Sequence, residues 1–327
     1  MYNRVSSNVR KSWVLILVFT AFVALIGWLF GQYLRIGLWG LGGALLFSIA
    51  MTWGSYFSSD KIALSMSRAK PADAVTHANL HNIVEGLALA GGLPKPRIYV
   101  VEDSAPNAFA TGRNPEHAAI AVTTGLMEVM NRDELEGVLA HELAHVKNRD
   151  TLVMTLAVTL VGVIILLADL LIRAMFWGGM GGRDNDNNGG GGLAAPLAIL
   201  GLVLMILAPI IAQLLQFAIS RQREFLADAE AVMLTRYPDG MINALKKLQS
   251  DQTVVRSASK ATAHLWIESP IAQHANEQRR GSSKGAWLNR MFNTHPPLEA
   301  RIAALQESSV TSGGEWRDIS PPPPPGT

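Results

Sequence analysis

The chain has 327 residues, 17% of them charged and 49% hydrophobic, with a net charge of +2 and no cysteine. Disulfides, thiolate chemistry and cysteine-ligated metals are therefore excluded, and any metal site must draw on His, Asp or Glu. The near-neutral balance, with no basic stripe interleaved with aromatics, gives no basis for nucleic-acid binding.

The charge deficit is concentrated in four apolar runs. No charge lies between Lys11 and Arg35, and none between Arg35 and Asp60. Each stretch exceeds the roughly 20 residues a helix needs to cross the hydrocarbon core of a bilayer. A cleaved signal peptide is the competing reading of the first run, which follows Arg4, Arg10 and Lys11. Its length, and the second run directly behind it, favour a retained hairpin.

The first polar region follows. A helix is expected around Asp73 to Ala90, stopped by Gly91-Gly92 and Pro94. Arg97–Val101 and Ala118–Thr123 are short, β-branched runs that read as strands of a small sheet. Asn131 with Glu134, or Asp133 with Glu136, offers a capping box for the next helix.

That helix carries LAHELAHVKNRDT. His141 and His145 stand at i and i+4 with Glu142 between them. On a helix the imidazoles share one face, one turn apart, as a tetrahedral zinc site requires. An amphipathic helix with two incidental histidines is the bland alternative. At about 100° per residue, Leu135, Leu139, Leu143 and Val146 form one stripe and the histidines lie opposite. This removes them from the face expected to pack into the core.

The third run spans Thr151 to Ile172 with Asp169 inside it, and the fourth Leu193 to Ile219. Between them GGMGGRDNDNNGGGG reads as a flexible turn. These two runs either span the bilayer or form a partly embedded hairpin. Lys and Arg collect at the outer flanks of the hairpins, which by the positive-inside rule places both termini and both polar regions in the cytoplasm.

SRQREFLADAEAVML then opens the second polar region as a helix ending near Tyr237-Pro238, followed by a helix around Met241–Leu248. A zinc site with an open position needs a third protein ligand, and Glu224 supplies it. Asp228, one turn on, would accept the free N–H of a ligand histidine, His141 in this reading. Taken alone, the pair Glu224 and Asp228 is a solvated acidic face. Beside H-E-x-x-H the metal reading is preferred. Ser250 to Trp287 reads as loop with some helix, Pro296-Pro297 opens a final helix bearing Leu298, Ile302 and Leu305, and the PPPPPGT tail is polar and irregular. His77, His81, His117, His264 and His274 are read as surface residues.

HELAH, an apolar hairpin, SRQREFLADAEA, Asn107–Gly112 and Thr294-His295-Pro296-Pro297 together resemble the HtpX group of membrane zinc metalloproteases, relatives of the CAAX prenyl proteases. The resemblance implies a mainly α integral membrane protein of the bacterial inner membrane. Four apolar helices would join a zincin-like α+β catalytic domain with a small sheet. Five segments follow: an N-terminal hairpin (1–60), the two catalytic halves (61–150 and 221–307), a second hairpin between them (151–220) and a tail (308–327). It implies one zinc per chain on His141, His145 and Glu224, with Glu142 as general base and polypeptide substrates drawn from membrane proteins in quality control. His295 is the oxyanion donor by this resemblance; a helix-capping histidine is the equal alternative. Asn107, Ala108 and Phe109 would hold substrate as an added strand. Two other classes remain: a metal-stabilised scaffold that does not need Glu142, and a transporter subunit using Asp169.

Overall fold

The computed structural model describes residues 2–33, 37–156, 201, 221–251, 253, 265–267 and 296–311. The third and fourth apolar runs beyond residue 156, Asp169, the glycine-rich turn, His264, His274, His295 and the proline tail lie outside these residues.

Two long helices lead the chain, α1 (Tyr2–Tyr33) and α2 (Leu38–Met66), packed against each other as a hairpin. Their large apolar side chains point outward: Leu17 is 65% exposed, Leu46 72% and Trp39 88%. Among the described residues, no helix is long and apolar enough to cross a membrane.

A four-stranded sheet follows, ordered β1 (Lys70–Pro71), β2 (Arg97–Val101), β4 (Ala119–Thr123), β3 (Ala108–Thr111). β2 and β4 run parallel, and β3 pairs antiparallel with β4. The two-residue alternation of a strand divides its side chains between two cores. Ile98, Val100, Ala108, Ala110, Ile120 and Val122 face α3 (Ala78–Gly91) and α5 (Arg132–Lys147). Val101, Phe109, Ala119 and Ala121 face Leu15 and Phe19 of α1, Ala63 and Leu64 of α2, and Val153 and Met154. The parts of α1 and α2 around Leu15, Phe19, Ala63 and Leu64 therefore form one wall against the sheet.

α3 begins at Ala78, five residues later than the sequence suggests. The Asp73 carboxylate accepts from the backbone N–H groups of Val75 and Thr76 and from the Thr76 hydroxyl, closing a turn where a helix was expected. The helix stops as foreseen, with Gly92 left-handed at φ 65°. α4 (Thr124–Val129) is a short connector. The expected capping box opens α5: Asn131 accepts from Glu134 N–H, and the Glu134 carboxylate accepts from Asn131 N–H.

Further along the chain come α6 (Arg221–Thr235), α7 (Pro238–Ser250) and α8 (Leu298–Thr311). α5 packs on α3, α6, α7 and β3. It is buried on all sides, including the histidine face that the apolar stripe left apart. α5 and α7 meet at glycine: a Cβ at Gly137 would lie 2.9 Å from both the Met241 N and Cα atoms. Gly137→Ala forces the two helices apart and is expected to lower stability by about 1–3 kcal/mol, read as a lower melting temperature of the purified protein. An unchanged melting temperature would show that the crossing has slack.

Candidate metal centre

The site forms where α5, α6 and α8 meet. One turn of α5 brings His141 and His145 over each other, their Nε2 atoms 3.1 Å apart. α6 brings Glu224, whose carboxylate oxygens lie 3.7 Å from His141 Nε2 and 3.5 Å from His145 Nε2. One donor atom from each residue falls within 4.8 Å of the others, and all three side chains are buried.

Each imidazole is held from behind by a carboxylate. His141 Nδ1 lies 2.9 Å from Asp228 Oδ1, the pairing expected from the i, i+4 spacing of Glu224 and Asp228. His145 Nδ1 lies 3.1 Å from Asp150 Oδ2, a partner the sequence reading missed. A carboxylate accepting from Nδ1–H fixes the tautomer that leaves a lone pair on Nε2. The two Nε2 atoms face each other, so either a proton or a metal cation lies between them. Zinc–nitrogen bonds of about 2.0–2.1 Å at tetrahedral angles imply a nitrogen–nitrogen separation near 3.3 Å, close to the one observed. Glu142, Asp150, Glu224 and Asp228 are buried at the site, and among the described residues Arg223 pairs with Asp150 and Arg301 with Glu224 and Asp228. The donors present fit a zinc ion.

Electrostatics separate the two histidines in the metal-free protein. Burial, with the Arg301 charge, pushes His141 down to about 4 against the opposing pull of Asp228. Burial also acts to lower His145, but the Asp150 hydrogen bond and the charges of Glu224, Asp150 and Glu142 outweigh it and raise the group to about 9. Asp228 resists the upward push of burial because Arg301 holds its carboxyl below the usual range.

Arg301 was not anticipated. It comes from α8, is 0% exposed, and grips Asp228 with two bonds, Nε to Oδ2 at 2.8 Å and Nη2 to Oδ1 at 2.5 Å. Its Nη1 lies 3.7 Å from Glu224 Oε2. A signal existed: position 301 lies on the same helical stripe as Leu298, Ile302 and Leu305, where an arginine is out of place unless paired. Glu224 and Asp228, which taken alone read as a solvated acidic face, are both buried.

Glu142 is buried on α5 between the two histidines. Asn107, Ala108 and Phe109 are buried at the start of the edge strand β3, against which α5 packs. Asn107 Oδ1 accepts from Ala108 N–H, the Ala108 carbonyl accepts from Ile267 N–H at 3.0 Å, and the Phe109 ring meets Trp266 edge-on at 4.7 Å. His77 and His81 are half-buried, with His81 Nε2 3.1 Å from the Ala72 carbonyl oxygen, while His117 is exposed.

A family model, Peptidase family M48, matches residues 74–309. The protease HtpX homolog of Caldanaerobacter subterraneus subsp. tengcongensis is 42% identical over 95% of this chain and 98% of its own. That of Desulfatibacillum aliphaticivorans is 44% identical over 94% and 92%, and that of Streptococcus pneumoniae 42% over 94% and 99%. Among solved structures, the crystal structure of S. mikatae Ste24p aligns with TM-score 0.46 and 18% identity, covering 93% of this chain and 67% of that one. The chain belongs to Peptidase family M48, among the HtpX-type proteases, and is a metalloendopeptidase.

Proposed function

We propose that the protein is a zinc-dependent endopeptidase of the bacterial inner membrane that cleaves misfolded or damaged membrane proteins at the cytoplasmic face. The observation that carries this reading is the convergence of His141 Nε2, His145 Nε2 and a Glu224 oxygen on one buried point, each imidazole backed by a carboxylate. Bound there, zinc supplies a Lewis acid for the scissile carbonyl and the attacking water. Glu142 accepts the proton of that water and returns it to the leaving amine. Asp228 and Asp150 keep the two imidazoles in the ligating tautomer, and Arg301 keeps Asp228 ionised. His295 donates to the oxyanion; alignment of the substrate backbone by Asn107 to Phe109 requires the Ile267 segment, which now bonds the Ala108 carbonyl, to give way.

Zinc loading tests the ligand set. The purified chain should hold one zinc, and His145→Ala should lose tight binding. Because His145 keeps its proton to about pH 9 and His141 is already neutral, loading at pH 7 should release about one proton per chain. Apparent affinity should climb as pH rises from 7 toward 9 and then level off. Undiminished zinc in His145→Ala, or no proton release in an indicator-dye titration, would count against the assignment.

The membrane reading draws support from the outward-facing apolar side chains of α1 and α2. A single cysteine introduced between Gly178 and Gly192 should react with an impermeant thiol reagent added outside the inner membrane, and one near Lys260 should not. Labelling near Lys260 alone reverses the orientation.

A further inference from the structure

We propose that Asn8, on the N-terminal helix α1, is a positioning residue for the metal centre, acting through Asp150 on the His145 imidazole. The inference rests on the reading of His145 as a metal ligand.

Asn8 lies just ahead of Lys11, the last charge before the first apolar run, and is 4% exposed. Its amide donates from Nδ2 to the Asn148 carbonyl at 2.8 Å and to Asp150 Oδ1 at 2.7 Å. Its Oδ1 accepts from Arg223 Nη1 at 3.3 Å, and the same Arg223 nitrogen donates to Asp150 Oδ1 at 3.1 Å. The orientation of the amide is dictated by these partners. Turned over, its oxygen would face a carbonyl and a carboxylate, and its NH2 a guanidinium. Asn8 thus uses both donors and its acceptor on groups that hold Asp150 Oδ1, while Asp150 Oδ2 faces His145 Nδ1.

Asp150 needs such holding. α5 ends at Lys147, and Arg149 adopts the left-handed region at φ 56° before the chain turns helical again over 150–156. The carboxylate that orients His145 therefore hangs from a strained turn outside the helix that carries the histidine. Asn8 ties this turn at two points, the Asn148 carbonyl and the Asp150 side chain, from a helix 140 residues earlier. A residue needed only to dock α1 could have been any polar group capping α5. The bond to Asp150 makes it part of the support of a metal ligand.

The test uses the full chain in detergent, with zinc affinity measured by chelator competition and cobalt(II) absorption as a readout of ligand geometry. Loss of an outer hydrogen-bonding partner typically weakens metal affinity about 10–100-fold, which is expected for Asp150→Asn. Asn8→Ala, one bond further out, should weaken zinc by about threefold to tenfold and shift the cobalt ligand-field bands. Because Asn8 acts through Asp150, the double variant should bind no more weakly than Asp150→Asn alone. If Asn8→Ala fails to fold, Asn8→Ser, which keeps a hydroxyl, is read in the same way. Unchanged affinity, or losses that add fully in the double variant, overturns the proposal, since a docking role would lower the melting temperature of the metal-free chain without this coupling. Zinc retained in His145→Ala overturns the ligand assignment and the inference with it. His145→Ala without zinc, beside unaltered affinity in Asn8→Ala, overturns this inference alone.

Discussion

Glu142→Gln is expected to bind zinc and fold as the parent does while losing peptide hydrolysis by about two to four orders of magnitude. Glutamine matches the shape of glutamate and keeps one oxygen, so α5 retains its packing against α6 and the histidines keep their carboxylate partners. What disappears is a basic oxygen able to take a proton from water, and general-base catalysis by a positioned side chain contributes about 10²–10⁴ in rate. The loss should fall on kcat, because no ligand of the metal and no residue proposed to hold substrate has been altered. Metal analysis, circular dichroism and single-turnover cleavage of an unfolded polypeptide check the three parts separately. Comparable turnover in this variant would point away from this mechanism altogether, because the proton of the attacking water would have to go to another base.

Arg301→Leu is expected to cost about 3–5 kcal/mol of stability, the usual penalty for leaving one member of a buried ion pair alone. The arginine is fully enclosed and makes two bonds to Asp228. Without it Asp228 keeps, among the described residues, the His141 imidazole, itself released from the Arg301 charge that helps to hold its pKa down. Arg301→Lys retains the charge but not the two-pronged geometry, so it should recover part of the loss. The pH dependence has a definite sign. In the parent, Asp228 titrates below its unfolded value, so its contribution is present above about pH 4 and is lost as pH falls through the folded value. In Arg301→Leu, burial unopposed by the guanidinium raises the Asp228 carboxyl instead. The deficit of the metal-free variant should therefore shrink as pH is lowered from 7 toward 4. A gap in melting temperature that stays constant over that range would show that Arg301 stabilises by packing rather than by charge.

How much of this was legible in the sequence depended on whether a contact is local. Helical periodicity places His141 and His145 on one face, and Glu224 and Asp228 on another, without reference to the rest of the chain. The capping box at Asn131 and the αL stop at Gly92 were readable for the same reason. Asp150 was not, because its position follows from the break at Arg149. In an unbroken α5 it would project about 140° around the axis from His145. Arg301 and Asn8 were hidden by distance, since each is defined by a partner on a helix far away in sequence. The late start of α3 reflects a competition that periodicity ignores, in which the Asp73 carboxylate captures backbone N–H groups that a helix would have used.

The charged groups of the centre are made in the order His141, Glu142, His145, Asp150, Glu224, Asp228, Arg301. The cation that offsets Glu224 and Asp228 is the last to leave the ribosome, after every zinc donor has already been synthesised. A nascent chain can thus display the complete donor set while the carboxylates behind it remain uncompensated. A chain terminated ahead of Arg301 carries every donor and still lacks the lock that keeps them aligned.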